Sequence, residues 1–296
     1  MRNIAVIGSG QMGNGIAQVF AQQGFMVQLI DVDNLALDKA VKTITRNLDR
    51  LIEKGQVEGS MRDQILSNIQ TSTNLEASVH HCDLIVEAVP EKLELKQKVF
   101  SALDQCTPSH CILATNTSSI SITRIASMTR RPDLVIGMHF MNPVPVMRLV
   151  EVIRGYATSD ETARKIMEVS RTLGKDPVEV NDYPGFISNR VLMPMINEAI
   201  QALFEGVAGV EEIDTVMRLG MAHPMGPLHL ADFIGLDTCL SIMRVLQEGF
   251  GNPKYAPSPL LVNMVNAGKL GVKTGEGFYR YTPGSKEKQV ALKFQK

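Results

Sequence analysis

The sequence predicts an α/β fold: a doubly wound parallel sheet, followed by an all-helical C-terminal part. Three observations predict it. Short apolar runs recur at residues 4–7, 84–86, 112–114 and 134–136, each separated from the next by a stretch with helical periodicity. The cluster Gly8-Ser9-Gly10 breaks the first run immediately before a helical pattern. Beyond Asn181-Asp182-Tyr183-Pro184-Gly185 the strand-like runs stop and long apolar-periodic segments take over.

Taken in order, residues 4–7 (Ile-Ala-Val-Ile) read as a buried parallel strand. The next segment places Met12, Ile16, Val19 and Phe20 on one helical face and stops at Gly24. Residues 27–30 form a second strand ending at Asp31. From about 34 to 69 the chain is charged and helical, as a helical hairpin broken near Gly55 and Gly59 would be. Three strands follow at 84–86, 112–114 and 134–136, then a strand at 149–153, a helix near 160–173 and a run around Val178-Glu179-Val180. The composition change at Pro184 divides the chain into residues 1–183 and 184–296. Helical segments are expected near 185–205, 210–219, 227–249 and 258–268, with a polar tail over the last dozen residues.

Composition narrows the function. The hydrophobic fraction of 44% in 296 residues is enough for a substantial core. Thirty Lys and Arg balance 31 Asp and Glu, so no net field draws nucleic acid or an anionic membrane. The start of the sequence lacks a signal-peptide pattern, and no apolar run approaches bilayer length, so a cytoplasmic protein is expected. Cys82, Cys106, Cys111 and Cys239 form no CxxC pair and read as reduced thiols. His80-His81-Cys82 reads as a loop, because adjacent residues rarely aim at one ion; no metal is expected.

Gly8-Ser9-Gly10-Gln11-Met12-Gly13 fits the pattern G-x-G-x-x-G, with a strand before it, a helix after it and Asp31 closing the next strand. This is the arrangement of a Rossmann-type dinucleotide site. Gly8 permits the tight turn, Gly10 lets backbone approach a pyrophosphate, and Gly13 lets helix and strand pack closely. The helix N-terminus offers unpaired N–H groups to the phosphates. Asp31 would accept hydrogen bonds from ribose hydroxyls and repel a 2′-phosphate, which indicates NAD rather than NADP.

Ligands in open parallel sheets lie beyond the carboxyl ends of the strands. Those ends carry Glu87 to Glu91, Thr115-Asn116-Thr117-Ser118-Ser119 and Gly137-Met138-His139. His139 is the only histidine among them and the natural general base for dehydrogenating an alcohol. Glu151, in an otherwise apolar Leu-Val-Glu-Val-Ile run, could orient it; on spacing alone it could equally sit on the solvated face of an edge strand.

The segments VIGSGQMGNGIAQ, DLIVEAVPE, ATNTSSISIT, GMHFMNPVPVMRLVEVI, DYPGFISNRVLMPMINEA, HPMGPLHLADFIGLD and GEGFY follow one another between residue 3 and about 281. Through them the chain resembles the L-3-hydroxyacyl-CoA dehydrogenase family, and most closely its short bacterial branch acting on 3-hydroxybutyryl-CoA. The resemblance implies an NAD-dependent oxidoreductase with an acyl-CoA substrate, assembled as a homodimer or larger oligomer through the helical domain. It implies His139 as general acid/base, Glu151 as its partner, Ser118 on the substrate 3-oxygen, and Asn189 completing the set. Glu91 and Lys96 match residues near the nicotinamide ribose, and Asn116 falls with the dinucleotide-binding set. Asn142, Asn47 and Lys54 fall where the family holds the substrate, Asn47 where relatives often carry Ser and Lys54 toward the coenzyme A nucleotide; from sequence alone Lys54 reads as a solvated surface lysine. Two positions depart from the family. Met141 stands where relatives usually carry a second Phe, which keeps an apolar side chain of similar bulk. His229 stands where relatives often have Glu, and is expected at an interface or surface. Two rival readings are a β-hydroxyacid dehydrogenase with a lysine base in its second domain, and a non-enzymatic relative.

Overall fold

The computed structural model describes every residue except Pro283, Ser285, Lys286 and Lys296. The chain divides into two compact units, Met1–Tyr183 and Pro184–Lys296.

The first unit runs β1 (Asn3–Ile7), α1 (Gln11–Gln22), β2 (Met26–Ile30), α2 (Asn34–Glu53), α3 (Arg62–Ser67), β3 (Ile69–Ser72), α4 (Leu75–Ser78) and β4 (Leu84–Glu87). It continues through α5 (Leu93–Cys106), β5 (Ile112–Thr115), α6 (Ile122–Ala126), β6 (Val135–Phe140), β7 (Leu149–Arg154), α7 (Asp160–Thr172) and β8 (Asp176–Asn181). The strands form one sheet in the order β3-β2-β1-β4-β5-β6-β7-β8. Strand order changes direction between β1 and β4, so the carboxyl ends of those two strands flank the crevice where such sheets take ligands.

Sequence explains most of these elements. β1 and β4 bury nearly every side chain, as central parallel strands do. Asp33 caps α2 by accepting from the Leu35 N–H at 2.9 Å. Leu37, Ala40, Ile44 and Leu48 form the helix's buried stripe. Gly13 and Gly15 are buried in α1 because a Cβ at either would strike a neighbour, the Gly8 carbonyl or the Val144 side chain.

The doubly wound, mainly parallel sheet is as expected, and three details differ. One pairing is antiparallel: β7 runs antiparallel to β6, and β8 parallels β7. The connection from 141 to 148 is too short for a parallel crossover, so the chain turns back on itself, with a cis Asn142-Pro143 peptide in the turn. β6 spans six residues, all buried, and includes His139 within the strand. Gly137 interrupts the apolar run but not the strand; a Cβ there would meet Ile153 and Ile122 at 2.8 and 2.9 Å. The segment read as helical up to residue 69 ends instead in β3, a four-residue edge strand pairing with β2. With one flank open to solvent it needs no apolar run.

The second unit has its own core. It contains α8 (Ser188–Phe204), α9 (Val210–Thr215), α10 (Pro227–Ile234), α11 (Leu236–Phe250) and α12 (Pro259–Asn266). The single helix expected over 227–249 is split at Gly235, whose φ of 101° no helix accommodates. The unit is not purely helical: β9 (Tyr279–Tyr281) and β10 (Lys288–Val290) form an antiparallel hairpin. The described part of the tail is therefore packed rather than loose, with Ala291 buried and Phe294 on the Phe278 ring at 5.8 Å, while Ser285, Lys286 and Lys296 lie outside the described residues. Two buried carboxylates organise this end. Asp214 accepts from the Leu228 and His229 N–H groups and from the Tyr279 hydroxyl. Asp232 accepts from the Phe278 and Tyr279 N–H groups and from the Tyr281 hydroxyl. Gly226 and Gly277 leave room for them, since a Cβ at either would collide with the carboxylate. The HPMGPLHLAD and GEGFY segments thus hold the hairpin onto α10. His229 stacks on Tyr281 and meets Tyr279 edge-on, and burial lowers its basicity.

Candidate active site

The glycine turn joins β1 to α1. Gly8 adopts φ 99°, and a Cβ there would lie 2.7 Å from the Ala88 carbonyl oxygen. Gly10 is different: nothing lies within 4 Å of where its Cβ would be. No side chain caps the first turn of α1. An open approach to backbone at an uncapped helix N-terminus suits a dinucleotide pyrophosphate. Asp31 lies just past β2, where its Oδ2 accepts from the Ser9 N–H and hydroxyl, both at 2.7 Å. Burial opposes its charge, but these bonds and weaker ones from Asp33 and Val32 outweigh it and hold Asp31 below the usual carboxylate range. The carboxylate thus ties the turn to β2 while staying ionised. These residues fit NAD. Met12 packs against the core. Gln11 donates its side-chain N–H to Asn142 Oδ1 at 3.1 Å, joining the glycine turn to the β6–β7 turn.

His139 and Glu151 are direct cross-strand partners of β6 and β7. Opposed residues of an antiparallel pair project from the same face. Nδ1 of His139 lies 2.8 Å from Glu151 Oε2, and the side chains are 11% and 3% exposed. The antiparallel pairing across the Asn142-Pro143-Val144-Pro145 turn settles the ambiguity left by spacing: Glu151 faces the histidine, not solvent. Asn116 fixes this corner by accepting the Phe140 N–H on its Oδ1 at 2.9 Å.

Glu91 gathers the loop after β5. Its Oε1 accepts from Thr117 Oγ1, Ser118 N–H at 3.0 Å, Ser119 N–H at 3.1 Å and Ser119 Oγ at 2.9 Å. Burial raises its pKa, but Lys96 and these donors more than offset that, so Glu91 titrates below its ordinary range. Lys96, matched by resemblance to the ribose edge, is buried between Glu87 Oε1 at 2.7 Å and Glu91 Oε2 at 3.3 Å. In the sequence Glu87 is only part of a strand-end segment; in the fold it is a fully buried anchor. Lys175, which sequence reasoning passes over, is also buried and donates to the Val144 and Met147 carbonyls, clamping the turn that carries Asn142. Burial lowers its pKa. A lysine after Leu173-Gly174 has no distinctive sequence signal.

Asn47 and Lys54 lie on α2, seven residues apart and so on similar faces. Asn47 donates to Gln18 at 3.3 Å, and Lys54 is an exposed C-cap. Asn189 is in the first turn of α8 in the second unit and is buried.

The model of the 3-hydroxyacyl-CoA dehydrogenase NAD binding domain matches residues 3–183, and that of the C-terminal domain matches 185–281. The chain belongs to the 3-hydroxyacyl-CoA dehydrogenase family. It is an oxidoreductase with NAD as its cofactor. A probable 3-hydroxybutyryl-CoA dehydrogenase of Bacillus subtilis is 55% identical over 281 residues, 95% of this chain and 98% of that one. A protein of the same description from Deinococcus radiodurans is 56% identical over 276 residues, 93% and 99% of the two chains. The crystal structure of (S)-3-hydroxybutyryl-CoA dehydrogenase from Ralstonia eutropha matches with a TM-score of 0.91 at 48% identity, covering 95% of this chain and 99% of that one. Among the described residues no helix is long and apolar enough to cross a membrane, and no three His, Cys, Asp or Glu side chains cluster to hold a metal ion.

Proposed function

We propose that this dehydrogenase interconverts (S)-3-hydroxybutyryl-CoA and acetoacetyl-CoA. The balanced reaction is (S)-3-hydroxyacyl-CoA + NAD⁺ ⇌ 3-oxoacyl-CoA + NADH + H⁺. The observation that carries this reading is the buried, register-paired His139–Glu151 couple on the sheet that bears the glycine turn. The short-chain substrate comes from the names of the close relatives.

Bound nicotinamide would supply the hydride acceptor for C3, or the donor in the reverse direction. His139 takes the hydroxyl proton on Nε2, because Nδ1 is engaged with Glu151. Glu151 fixes the ring tautomer and stabilises the imidazolium as the proton arrives. Ser118 is assigned to hold the 3-oxygen as it gains negative charge. Glu91 holds the Ser118 N–H and is assigned to the nicotinamide ribose. Asn142, Asn47 and Lys54 are assigned to the thioester and coenzyme A side.

The test is stereochemical. With NAD⁺, the enzyme is expected to oxidise (S)-3-hydroxybutyryl-CoA and leave the (R) isomer untouched; equal rates would overturn the proposal. Asp31 carries the cofactor preference. Asp31→Ala is expected to narrow the preference for NADH over NADPH by about tenfold or more, the value of charge-assisted hydrogen bonds of about 1.5–3 kcal/mol. Because folding depresses its pKa, Asp31 keeps its charge above the ordinary carboxylate range and loses it only as pH falls through that range and below. The contribution of Asp31 to NADH affinity, wild type against Asp31→Ala, should therefore be the same at pH 5 as at pH 8, as NADH titrations at both would show.

A further inference from the structure

The proposed chemistry gives no task to Glu87, the most deeply buried carboxylate near the strand ends. Its side chain is 0% exposed and that of Lys96 is 1%. An ion pair this deep costs desolvation that its attraction only partly returns, so it is poorly explained by stability alone. Its geometry suggests another reason. Glu87 Oε1 accepts from Lys96 Nζ and the Val89 N–H, both at 2.7 Å. Oε2 accepts from Lys96 Nζ at 2.9 Å and Thr115 Oγ1 at 2.7 Å. Two routes lead onward from this carboxylate. Through Lys96 the ammonium reaches Glu91 Oε2, and Glu91 Oε1 accepts the N–H groups of Ser118 and Ser119. Through Thr115 the hydroxyl oxygen accepts the Thr117 N–H at 3.2 Å. Both routes end on the loop that carries Ser118.

We propose that Glu87 is a positioning residue for Ser118, acting through Lys96–Glu91 and through Thr115. The inference rests on the reading that Ser118 holds the substrate 3-oxygen. Alternating charge along Glu87, Lys96 and Glu91 fixes each group by its neighbour. Without the first carboxylate, Lys96 has one acid partner instead of two and is drawn toward Glu91. The Glu91 carboxylate then shifts against the loop, and the Ser118 hydroxyl leaves the position where the alkoxide-like oxygen forms. A misplacement of this kind lowers kcat, because the interaction lost is one made in the transition state.

The test is a double-mutant cycle on kcat with acetoacetyl-CoA and NADH. Glu87→Gln, nearly isosteric, is expected to lower kcat by about tenfold, the equivalent of one hydrogen bond to a charged group. In a Ser118→Ala background the same substitution should change kcat by a factor near one, because the residue through which Glu87 acts is gone. An equal factor in both backgrounds, or a Glu87→Gln enzyme at wild-type rate, would overturn the relay. A Ser118→Ala enzyme at full rate would instead overturn the reading of Ser118, and the relay with it. Should Glu87→Gln fail to fold, Thr115→Val, which deletes only the hydroxyl on Oε2, completes the same cycle. A smaller loss of kcat confined to the Ser118 background supports the relay, and an equal loss in both backgrounds overturns it.

Discussion

Replacing His139 with glutamine should lower turnover by about 10²–10⁴-fold, the range that a general acid/base supplies, and leave NADH affinity nearly unchanged. The imidazole is held on one edge by Glu151, and the proposed mechanism gives its other edge proton exchange rather than cofactor binding. Glutamine approximates the size and polarity of the ring but cannot carry a proton through the reaction. Stopped-flow binding of NADH and steady-state turnover separate the two quantities. A variant that turned over at the wild-type rate would remove His139 from the mechanism. Glu151→Gln should cost less, about 10- to 150-fold, since it forfeits a charge-assisted hydrogen bond of about 1.5–3 kcal/mol and not the base itself. A Glu151→Gln enzyme at the wild-type rate would argue that the pair is not coupled.

The glycine turn offers the second large effect, and it separates binding from folding. Gly10→Ala adds a methyl group into space with no protein neighbour within 4 Å, at a backbone geometry (φ −60°, ψ −168°) that alanine adopts freely. The apo protein should melt as the wild type does. NADH affinity should fall by about tenfold or more, because the methyl stands where the pyrophosphate approaches backbone. Gly13→Ala should do both. Its Cβ would overlap the Gly8 carbonyl, with the carbonyl carbon 2.9 Å away. Helix α1 has little freedom to withdraw, because a Cβ built on Gly15 already lies 2.9 Å from Val144. The expected cost is about 1–3 kcal/mol of stability, the usual range for overpacking, together with loss of NADH binding. Thermal melts with and without NADH distinguish the two variants. Normal NADH binding by Gly10→Ala would mean that the pyrophosphate does not use this approach.

What can be read from the sequence follows from how each feature is encoded. β1, β4 and β5 are buried strands whose apolar runs announce them. The glycine turn and Asp31 are legible because their spacing has a mechanical meaning in one context, strand then helix then strand. β3 is illegible because an edge strand with a single apolar residue has no such run. The extent of β6 is hidden because Gly137 reads as a break, while its reason is the close approach of Ile153. His139 stands out by its position near a strand end, but its tie to Glu151 depends on β7 reversing direction, a consequence of the short Asn142-Pro143-Val144-Pro145 turn. Glu87, Lys96 and Lys175 are least legible. Burial of a charge is fixed by three-dimensional neighbours, and a charged residue in sequence reads first as solvated.

At the centre of the proposed mechanism is the reduction of a 3-oxoacyl-CoA by NADH through His139. Adding acetoacetyl-CoA to the protein with NADH, and in parallel with NADPH, and following loss of reduced-nicotinamide absorbance tests this step without intermediaries. Rapid oxidation of NADH is expected, with much slower oxidation of NADPH, and neither in the His139→Gln variant. Binding of NADH without its oxidation by acetoacetyl-CoA, or turnover that survives loss of His139, would refute the mechanism.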